Sequence, residues 1–272
     1  AARLAPLLDS LASEVEVEIE RALTQAQPVL RLQASHGFAV ETVRQFLVDR
    51  EIPIDLKYRD SDEVLNALVD RQCDVIGLHL PMGELEAAAA AHYAARIGND
   101  WSLIHLATRR QGLIVAAGNP KRIRDLADLM RPDLRFVNRQ AGSGTRLLFD
   151  LSLQRAGIEP ASIAGYEILE YTHAAVAAYV GSSMADVGFG LEVPARRFGL
   201  GFVPVLTERY FFVCRDELLA EPVMQDFLAI VAGADLRAQI AALPGYDPSD
   251  AGRIEPARAL FPLRARPKAP PR

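Results

Sequence analysis

Hydrogen-bond donors collect where predicted strands pass into predicted helices. One junction reads Ser35-His36-Gly37, a later strand carries His79, and another junction reads Tyr171-Thr172-His173. The longest, residues 138–146, has the sequence NRQAGSGTR. Hydroxyl, imidazole, amide and guanidinium groups all donate hydrogen bonds, and almost no carboxylate stands beside them. This donor-rich chemistry favours the binding of an anion.

The loop at 142–146 makes the strongest case for an anion site. Gly142 and Gly144 let the backbone approach a ligand closely, and Ser143 and Thr145 add hydroxyl groups. The exposed amides and dipole at the start of the following helix favour negative charge. Arginine side chains on both sides of the loop can add charge-assisted bonds to an oxyanion. A plain loop with an ordinary helix cap explains the same residues about equally well on local chemistry alone.

Other chemistries find less support in the chain. His36, His79 and His173 fall at strand ends or helix starts, but they lack metal-ligand spacing and a nearby carboxylate or thiolate partner. The sequence contains no nucleophile elbow, phosphate-binding lysine loop, zinc-protease motif or paired-carboxylate signature. We therefore predict no metal site, no catalytic residues and no cofactor.

The elements that must position these donors alternate in type. Strands or apolar runs are predicted at 29–34, 54–58, 75–80, 103–107, 113–117, 134–138, 166–170, 187–189 and 202–213. Helices are predicted at 38–50 and 62–72, the latter capped by Ser61, and at about 84–97, 145–156, 172–180, 191–198 and about 222–242. This alternation predicts two α/β lobes with parallel strands and right-handed crossovers. Ligands of such sheets bind beyond the carboxyl ends of the strands, where the donors lie.

Composition limits the partners. The chain has 272 residues, 50% of them hydrophobic, and a formal net charge of −5. A net-acidic body is a poor nucleic-acid binder, so any DNA contact is expected to belong to another domain. No apolar run reaches the roughly 20 residues that a bilayer requires. Cys73 and Cys214 lie in apolar stretches, which favours two buried thiols over a disulfide.

Both ends of the chain differ in pattern from the body. Apolar residues spaced by three and four over residues 4–23 predict a helix with a narrow seam that needs a partner. A linker or dimerisation helix over 1–27 is favoured, and a helix that caps its own domain is the alternative. The Pro-rich tail, residues 263–272, is predicted to be disordered.

Several segments in order resemble the periplasmic-binding-protein-like domain of molybdate-responsive transcription regulators. They are Gly77–Leu80, Gln111–Val115, Gly118–Pro120, Phe136–Gln140, Gly142–Arg146, Gly165–Tyr166, Thr172–Ala177, Ala185–Gly188 and Phe202–Pro204. The resemblance covers about residues 29–215. It implies a type II bilobal fold that closes on a small oxyanion, usually molybdate or tungstate. Ser35-His36-Gly37 departs from the Ser-His-Asp start that is typical of relatives.

The resemblance also implies boundaries and a ligand set. Lobe I is expected to comprise 28–111 plus 204–262, and lobe II 112–203. The candidate ligand-binding residues are Ser35, His36, His79, Gln111, Arg139, Ser143, Gly144, Thr145, Arg146, Thr172 and His173. Tyr171 is expected to pack at the hinge. Replacing Ser143 and Thr145 together by alanine is expected to abolish anion binding with little change in melting.

Two binding functions and one enzymatic function follow from this family. The favoured hypothesis is a cytoplasmic effector domain of a LysR-type or molybdate-responsive regulator, not an enzyme. It would be dimeric through the linker helix and the lobes, and it would contact DNA only through a missing helix-turn-helix domain. The alternative is an extracytoplasmic solute-binding protein of an oxyanion ABC transporter, with its signal peptide removed. An enzyme of molybdenum-cofactor metabolism is a third hypothesis, disfavoured because no catalytic group was found.

Overall fold

A computed structural model describes residues 29–261 of the chain. The strands are β1 (Leu30–Ala34), β2 (Ile54–Tyr58), β3 (Val75–Pro81), β4 (Trp101–Val115), β5 (Phe136–Arg139), β6 (Leu169–Glu170), β7 (Val187–Leu191), β8 (Gly201–Arg215), β9 (Tyr246–Asp247) and β10 (Ile254–Pro256). The α-helices are α1 (Phe38–Asp49), α2 (Ser61–Val69), α3 (Glu86–Ala94), α4 (Gly144–Ala156), α5 (His173–Gly181), α6 (Glu192–Arg197), α7 (Pro222–Val231) and α8 (Ala234–Ala241). Short 3-10 turns lie at Gly83–Leu85, Ala127–Met130, Pro160–Ser162, Asp216–Ala220 and Ala257–Ala259.

One mixed sheet runs through the described chain in the order β2-β1-β3-β8-β4-β7-β5-β6, with β9 and β10 paired to β4. β1 pairs in parallel with β2 and β3 at one end, and β5 pairs in parallel with β6 and β7 at the other. The long strands β4 and β8 pair antiparallel with each other along their whole length. They connect two parallel groups of strands, so the predicted parallel order holds within each group but not across the middle.

Helices cover both faces of the sheet in each half. Along β3, Val75 packs in the core beneath α1 and α7, whereas its neighbour Ile76 packs in the core that contains α2 and α3. In the second half, Leu113 and Ile114 divide in the same way between two further apolar clusters. Successive strand residues point to opposite faces, so each half of the sheet is buried on both sides.

Most predicted elements are confirmed, and three differ for physical reasons. The apolar run 103–107 and most of the run 113–117 belong to one strand, β4, because the polar residues between them continue the pairing with β8; Arg109 and Gln111 are buried there, whereas Arg110 is exposed. The predicted helix at 222–242 is divided at Gly233, which is the N-cap residue of α8. α2 begins at Ser61 itself, and Asp60 is its N-cap residue.

The remaining expectations concern cysteines, membranes and the chain ends. Cys73 and Cys214 are both buried and unlinked, as predicted. Between residues 29 and 261 no helix is long and apolar enough to span a membrane. The predicted linker helix over 1–27 and the predicted disordered tail over 263–272 lie outside the described residues. The lobe boundaries at 111/112 and 203/204 stay a prediction.

Candidate functional site

A cleft of about 290 Å³ opens where the two groups of parallel strands end. Nine of the predicted ligand-binding residues line it. They are Ser35, His36, His79, Arg139, Ser143, Gly144, Thr145, Thr172 and His173. These residues come from strand ends and helix starts in both halves of the sheet, so the strand-end rule predicted side chains that the structure brings together in one cleft.

Two helices begin at the cleft. α4 starts at Gly144 with Ser143 as its N-cap residue, and α5 starts at His173 with Thr172 as its N-cap residue. The first amides of a helix have no partner within the helix, and its dipole places partial positive charge at this end. Both helix starts therefore favour negative charge in the cleft.

The hydroxyl groups at these helix starts already accept one hydrogen bond each from the protein. Ser143 Oγ accepts the backbone N–H of Arg146 at 3.2 Å, and Thr172 Oγ1 accepts that of Ala175 at 3.0 Å. Thr145 Oγ1 lies 3.4 Å from Gln111 Nε2, which donates to it. Each hydroxyl keeps its own O–H to donate, so an acceptor-rich group in the cleft matches them.

Arg139 supplies a buried positive charge at the cleft. It is 7% exposed and makes no salt bridge with any residue in the range 29–261. Its guanidinium donates to Gln140 Oε1 and to the carbonyl oxygen of Tyr171, both at 3.1 Å. Burial lowers the pKa of Arg139 to about 10, against an opposing attraction from Asp60. A buried cation without a bonded carboxylate is a binding group for an anion.

His173 contributes a neutral donor. Burial holds its pKa well below the usual value, and the nearby positive charges of Arg139 and Arg109 act in the same direction. Its Nδ1 is buried and has no hydrogen-bond partner among the described residues. An unpaired buried N–H is less common than an unpaired acceptor, so we place the single proton on Nε2.

A network of buried charged and polar side chains extends from the lining residues His79 and Arg109 to beneath the cleft floor. The Glu208 carboxylate in β8 accepts hydrogen bonds from Arg109 Nε at 2.5 Å and Gln111 Nε2 at 2.7 Å, and it lies 2.6 Å from His79 Nδ1. Burial raises the pKa of Glu208, but the Arg109 charge and the hydrogen bonds to His79 and Gln111 outweigh burial and bring it to about 2. Burial alone lowers the pKa of Arg109, and the Glu208 charge reverses this direction. The Arg109 cation is thus neutralised inside the protein.

Two predicted ligand-binding residues do not line the cleft. Arg146 turns to the other side of α4, where Nε bonds the Asp150 carboxylate at 3.0 Å and the guanidinium stacks over the ring of Tyr166. Gln111 is fully buried in the network beneath the floor and reaches the site only through Thr145. Arg146 is placed elsewhere because an i,i+4 carboxylate on its own helix captures it.

Seven residues of the cleft were missed from the sequence. They are Tyr58, Arg59, Asp60, Glu63, Arg109, Gln140 and Tyr171. The end of β2 was predicted at Tyr58, so the same strand-end rule could have found the segment that follows it. Tyr171 is 71% exposed at the cleft, and its predicted packing at the hinge is therefore wrong.

The cleft is narrow where its two sides meet. Gln140 Nε2 donates to Asp60 Oδ1 at 3.0 Å, which links the two sides directly. A Cβ atom on Gly144 would collide with the His79 ring and Ser61 Oγ, so only glycine fits there.

Within the described residues no three His, Cys, Asp or Glu side chains converge in a way that could hold a metal ion. The arrangement can hold and orient an anion.

Comparison with known proteins identifies the family. A family model described as a PBP superfamily domain matches residues 44–232. YvgK of Bacillus subtilis, an uncharacterized protein, is 36% identical over 205 residues, which span 73% of this chain and 64% of YvgK. The match therefore covers less than two thirds of that relative.

Solved structures with low identity share the fold. An ABC-type phosphate transport receptor from Vibrio cholerae is similar with a TM-score of 0.56 and 13% identity, over 81% of this chain and all of the receptor chain (100%). The regulatory domain of MetR, a LysR family regulator from N. meningitidis, has a TM-score of 0.55 and 13% identity, over 80% of this chain and 96% of that domain. These likenesses confirm the predicted α/β fold of the type II periplasmic-binding-protein kind. With a family model that matches more than half of its length, the chain belongs to the PBP superfamily.

Proposed function

We propose that this chain is a ligand-sensing domain that closes on a small anion through the oxyanion group of that anion. The observation that carries the proposal is Arg139, a buried cation at the cleft with no salt bridge among residues 29–261. The helix starts at Gly144 and His173 and the hydroxyls of Ser143, Thr145 and Thr172 add donors around the same space. Molybdate and tungstate are the inorganic members of this ligand class to test first.

The role we propose is that of an effector domain in a cytoplasmic transcription regulator, without catalytic activity. A ligand shifts a conformational equilibrium only by its differential affinity for the two states. Donors from both sides of the cleft give a bound anion more contacts when the sides approach, which would couple binding to closure. The signal would pass to a partner copy of the chain and to a DNA-binding domain. The fold likeness to the MetR regulatory domain supports this role.

The second candidate is a solute-binding protein of an anion transporter. The fold likeness to the phosphate transport receptor of Vibrio cholerae favours it, and the anion-binding cleft serves either role equally well. The complete reading frame of the gene discriminates between the two. A helix-turn-helix segment upstream supports the regulator, whereas a signal peptide supports the transport protein.

Calorimetric titration tests the binding proposal. The panel comprises molybdate, tungstate, sulfate, phosphate and formate, followed by small carboxylates and phosphate esters. We expect at least one anion to bind at a single site, and we expect Arg139→Gln to weaken that binding by at least about 30-fold. If no anion binds, or if binding persists unchanged in Arg139→Gln, the proposal is wrong.

A further inference from the structure

A cation and a carboxylate lie near each other at the cleft, because the Gln140 amide accepts from Arg139 Nε at 3.1 Å and donates to Asp60 Oδ1 at 3.0 Å. We infer that the ligand is a small organic anion whose oxyanion group lies at Arg139 and whose other end presents a hydrogen-bond donor to Asp60. The inference rests on the proposed function and names its ligand class. A tetrahedral oxyanion without an O–H group, such as sulfate or molybdate, offers no hydrogen-bond donor to Asp60.

The size of the cleft supports a ligand larger than an inorganic oxyanion. Its volume is about 290 Å³ even though Gln140 and Asp60 already join the two sides. The open cleft therefore has room for several water molecules, at about 30 Å³ of liquid volume each. An organic anion larger than a tetrahedral oxyanion fills more of this space.

Asp60 supplies a hydrogen-bond acceptor near the Arg139 cation. Asp60 lies between β2 and α2, on the side of the cleft opposite the helix starts of α4 and α5. Its Oδ1 accepts one hydrogen bond from Gln140, which leaves further lone pairs on the carboxylate. An ionised carboxylate accepts hydrogen bonds and repels a bare anion, so it matches a hydroxyl or ammonium group.

The aromatic rings of Tyr58 and Tyr171 form part of the cleft wall. The hydroxyl of Tyr58 donates to Glu41 at 2.8 Å, so this residue offers its ring to the cleft. That ring packs on His36 with 4.5 Å between centroids. Tyr171 adds a second ring, which is 71% exposed. Carbon atoms of an organic ligand gain from contact with such surfaces, whereas an inorganic oxyanion has none to place there.

Matched ligand pairs test the inference on the full chain. Glycerol phosphate is compared with propyl phosphate, and glycerate with propionate, because the members of each pair differ mainly in hydroxyl groups. Sulfate and molybdate serve as bare oxyanions, and inorganic phosphate, which carries an O–H near neutral pH, serves as an inorganic oxyanion that can donate to Asp60. We expect one hydroxylated member to bind at least tenfold more tightly than its partner and than every bare oxyanion, as measured by calorimetry.

The Asp60→Asn variant tests whether Asp60 causes the preference for the hydroxylated ligand. Asparagine is a good N-cap residue, so α2 keeps its start and the variant is expected to fold. The preference for the hydroxylated member should fall to about twofold or less, and bare oxyanions should bind as well as before or more tightly. Asp62→Asn is the matched control, since Asp62 bonds Arg96 at 2.6 Å outside the cleft and its loss changes the net charge equally.

The outcomes separate the inference from the proposed function. Tighter binding of a bare oxyanion than of any organic anion overturns the inference and leaves the proposed function intact. A hydroxyl preference that is absent, that survives Asp60→Asn, or that is lost equally in Asp62→Asn also overturns it. Failure of every anion to bind defeats the proposed function itself.

Discussion

Two buried arginines, Arg109 and Arg139, lie at the same cleft in opposite electrostatic surroundings. Arg109 bonds the fully buried Glu208 carboxylate at 2.5 Å, and its pKa is raised. Arg139 bonds only neutral oxygens among the described residues, and burial lowers its pKa to about 10. Both cations are removed from water, but only one is neutralised by the protein.

The difference separates a structural charge from a binding charge. A buried pair is stable as long as both partners remain, and removing one leaves an uncompensated charge. A buried cation without a paired anion favours any ligand that supplies the missing charge. Arg109 is therefore expected to matter for folding and Arg139 for binding. The following experiments test this division, from the largest expected effect to the smallest.

Glu208→Gln should lower the free energy of unfolding by about 3 kcal/mol or more, because it leaves Arg109 buried without a countercharge. Denaturant unfolding measures the change. Asp250→Asn is the control, since the Asp250 side chain is 60% exposed and pairs with the exposed Arg253. That substitution should change stability by at most about 1 kcal/mol. Equal losses in both variants would contradict the structural role of the buried pair.

The contribution of Glu208 should also vanish in acid. Its pKa in the folded protein is about 2, below the usual 4.5, so the stability that it contributes is complete above pH 4.5 and is lost as the pH falls towards 2. The stability difference between the original chain and Glu208→Gln should shrink across this window, by about 3 kcal/mol in total. Unfolding measured at several pH values tests this expectation. A difference that stays constant down to pH 2 would show that Glu208 is not the titrating group.

Arg139→Gln should weaken anion binding by at least about 30-fold, which corresponds to about 2 kcal/mol. Its melting temperature should stay the same or rise, because a buried charge without a salt bridge has been removed. Calorimetry and thermal melting measure the two effects. Arg146→Gln is the control with an equal change in net charge, and it should alter affinity by less than about threefold since Arg146 is paired with Asp150. Similar losses of affinity in the two variants would show that Arg146 also contributes to anion binding.

Ser143 and Thr145 should also differ in their contributions to stability and binding, with smaller effects than the two arginines. Thr145→Val removes a donor to a charged ligand and should weaken binding by about tenfold, with little effect on folding. Ser143→Ala also removes the N-cap bond to the Arg146 amide and should cost about 1 kcal/mol of stability. The variant in which alanine replaces both Ser143 and Thr145 is therefore expected to lose this stability, and not to melt like the original chain. Equal melting of Ser143→Ala and the original chain would show that the cap contributes little.

The sequence predicted the local parts of the site well. Ser143 and Thr172 are N-cap residues, and the helices that they cap start within one residue of their predicted positions. Such features depend on neighbours within three or four residues, so they can be inferred from the sequence of one segment. The same holds for the strand ends that bring Ser35 and Arg139 to the cleft.

Features that depend on distant partners were missed. The polar interruption in β4 was interpreted as a separator between two runs, although it carries Arg109 and Gln111 into the buried network. Arg146 was assigned to the cleft because the sequence does not show which face of α4 it occupies relative to the site. Asp60 was not among the predicted site residues, because its place at the cleft depends on the approach of the opposite side, which carries Gln140.

The sequence by itself determined that donors gather at strand ends and helix starts, which is chemistry that favours an anion. The tertiary structure decided which of the two buried arginines lacks a bonded carboxylate among the described residues. Arg109 and Glu208 are separated by 99 residues and become neighbours only through the antiparallel register of β4 and β8. Charge pairing depends on distance in space, and in this fold the sheet register sets that distance.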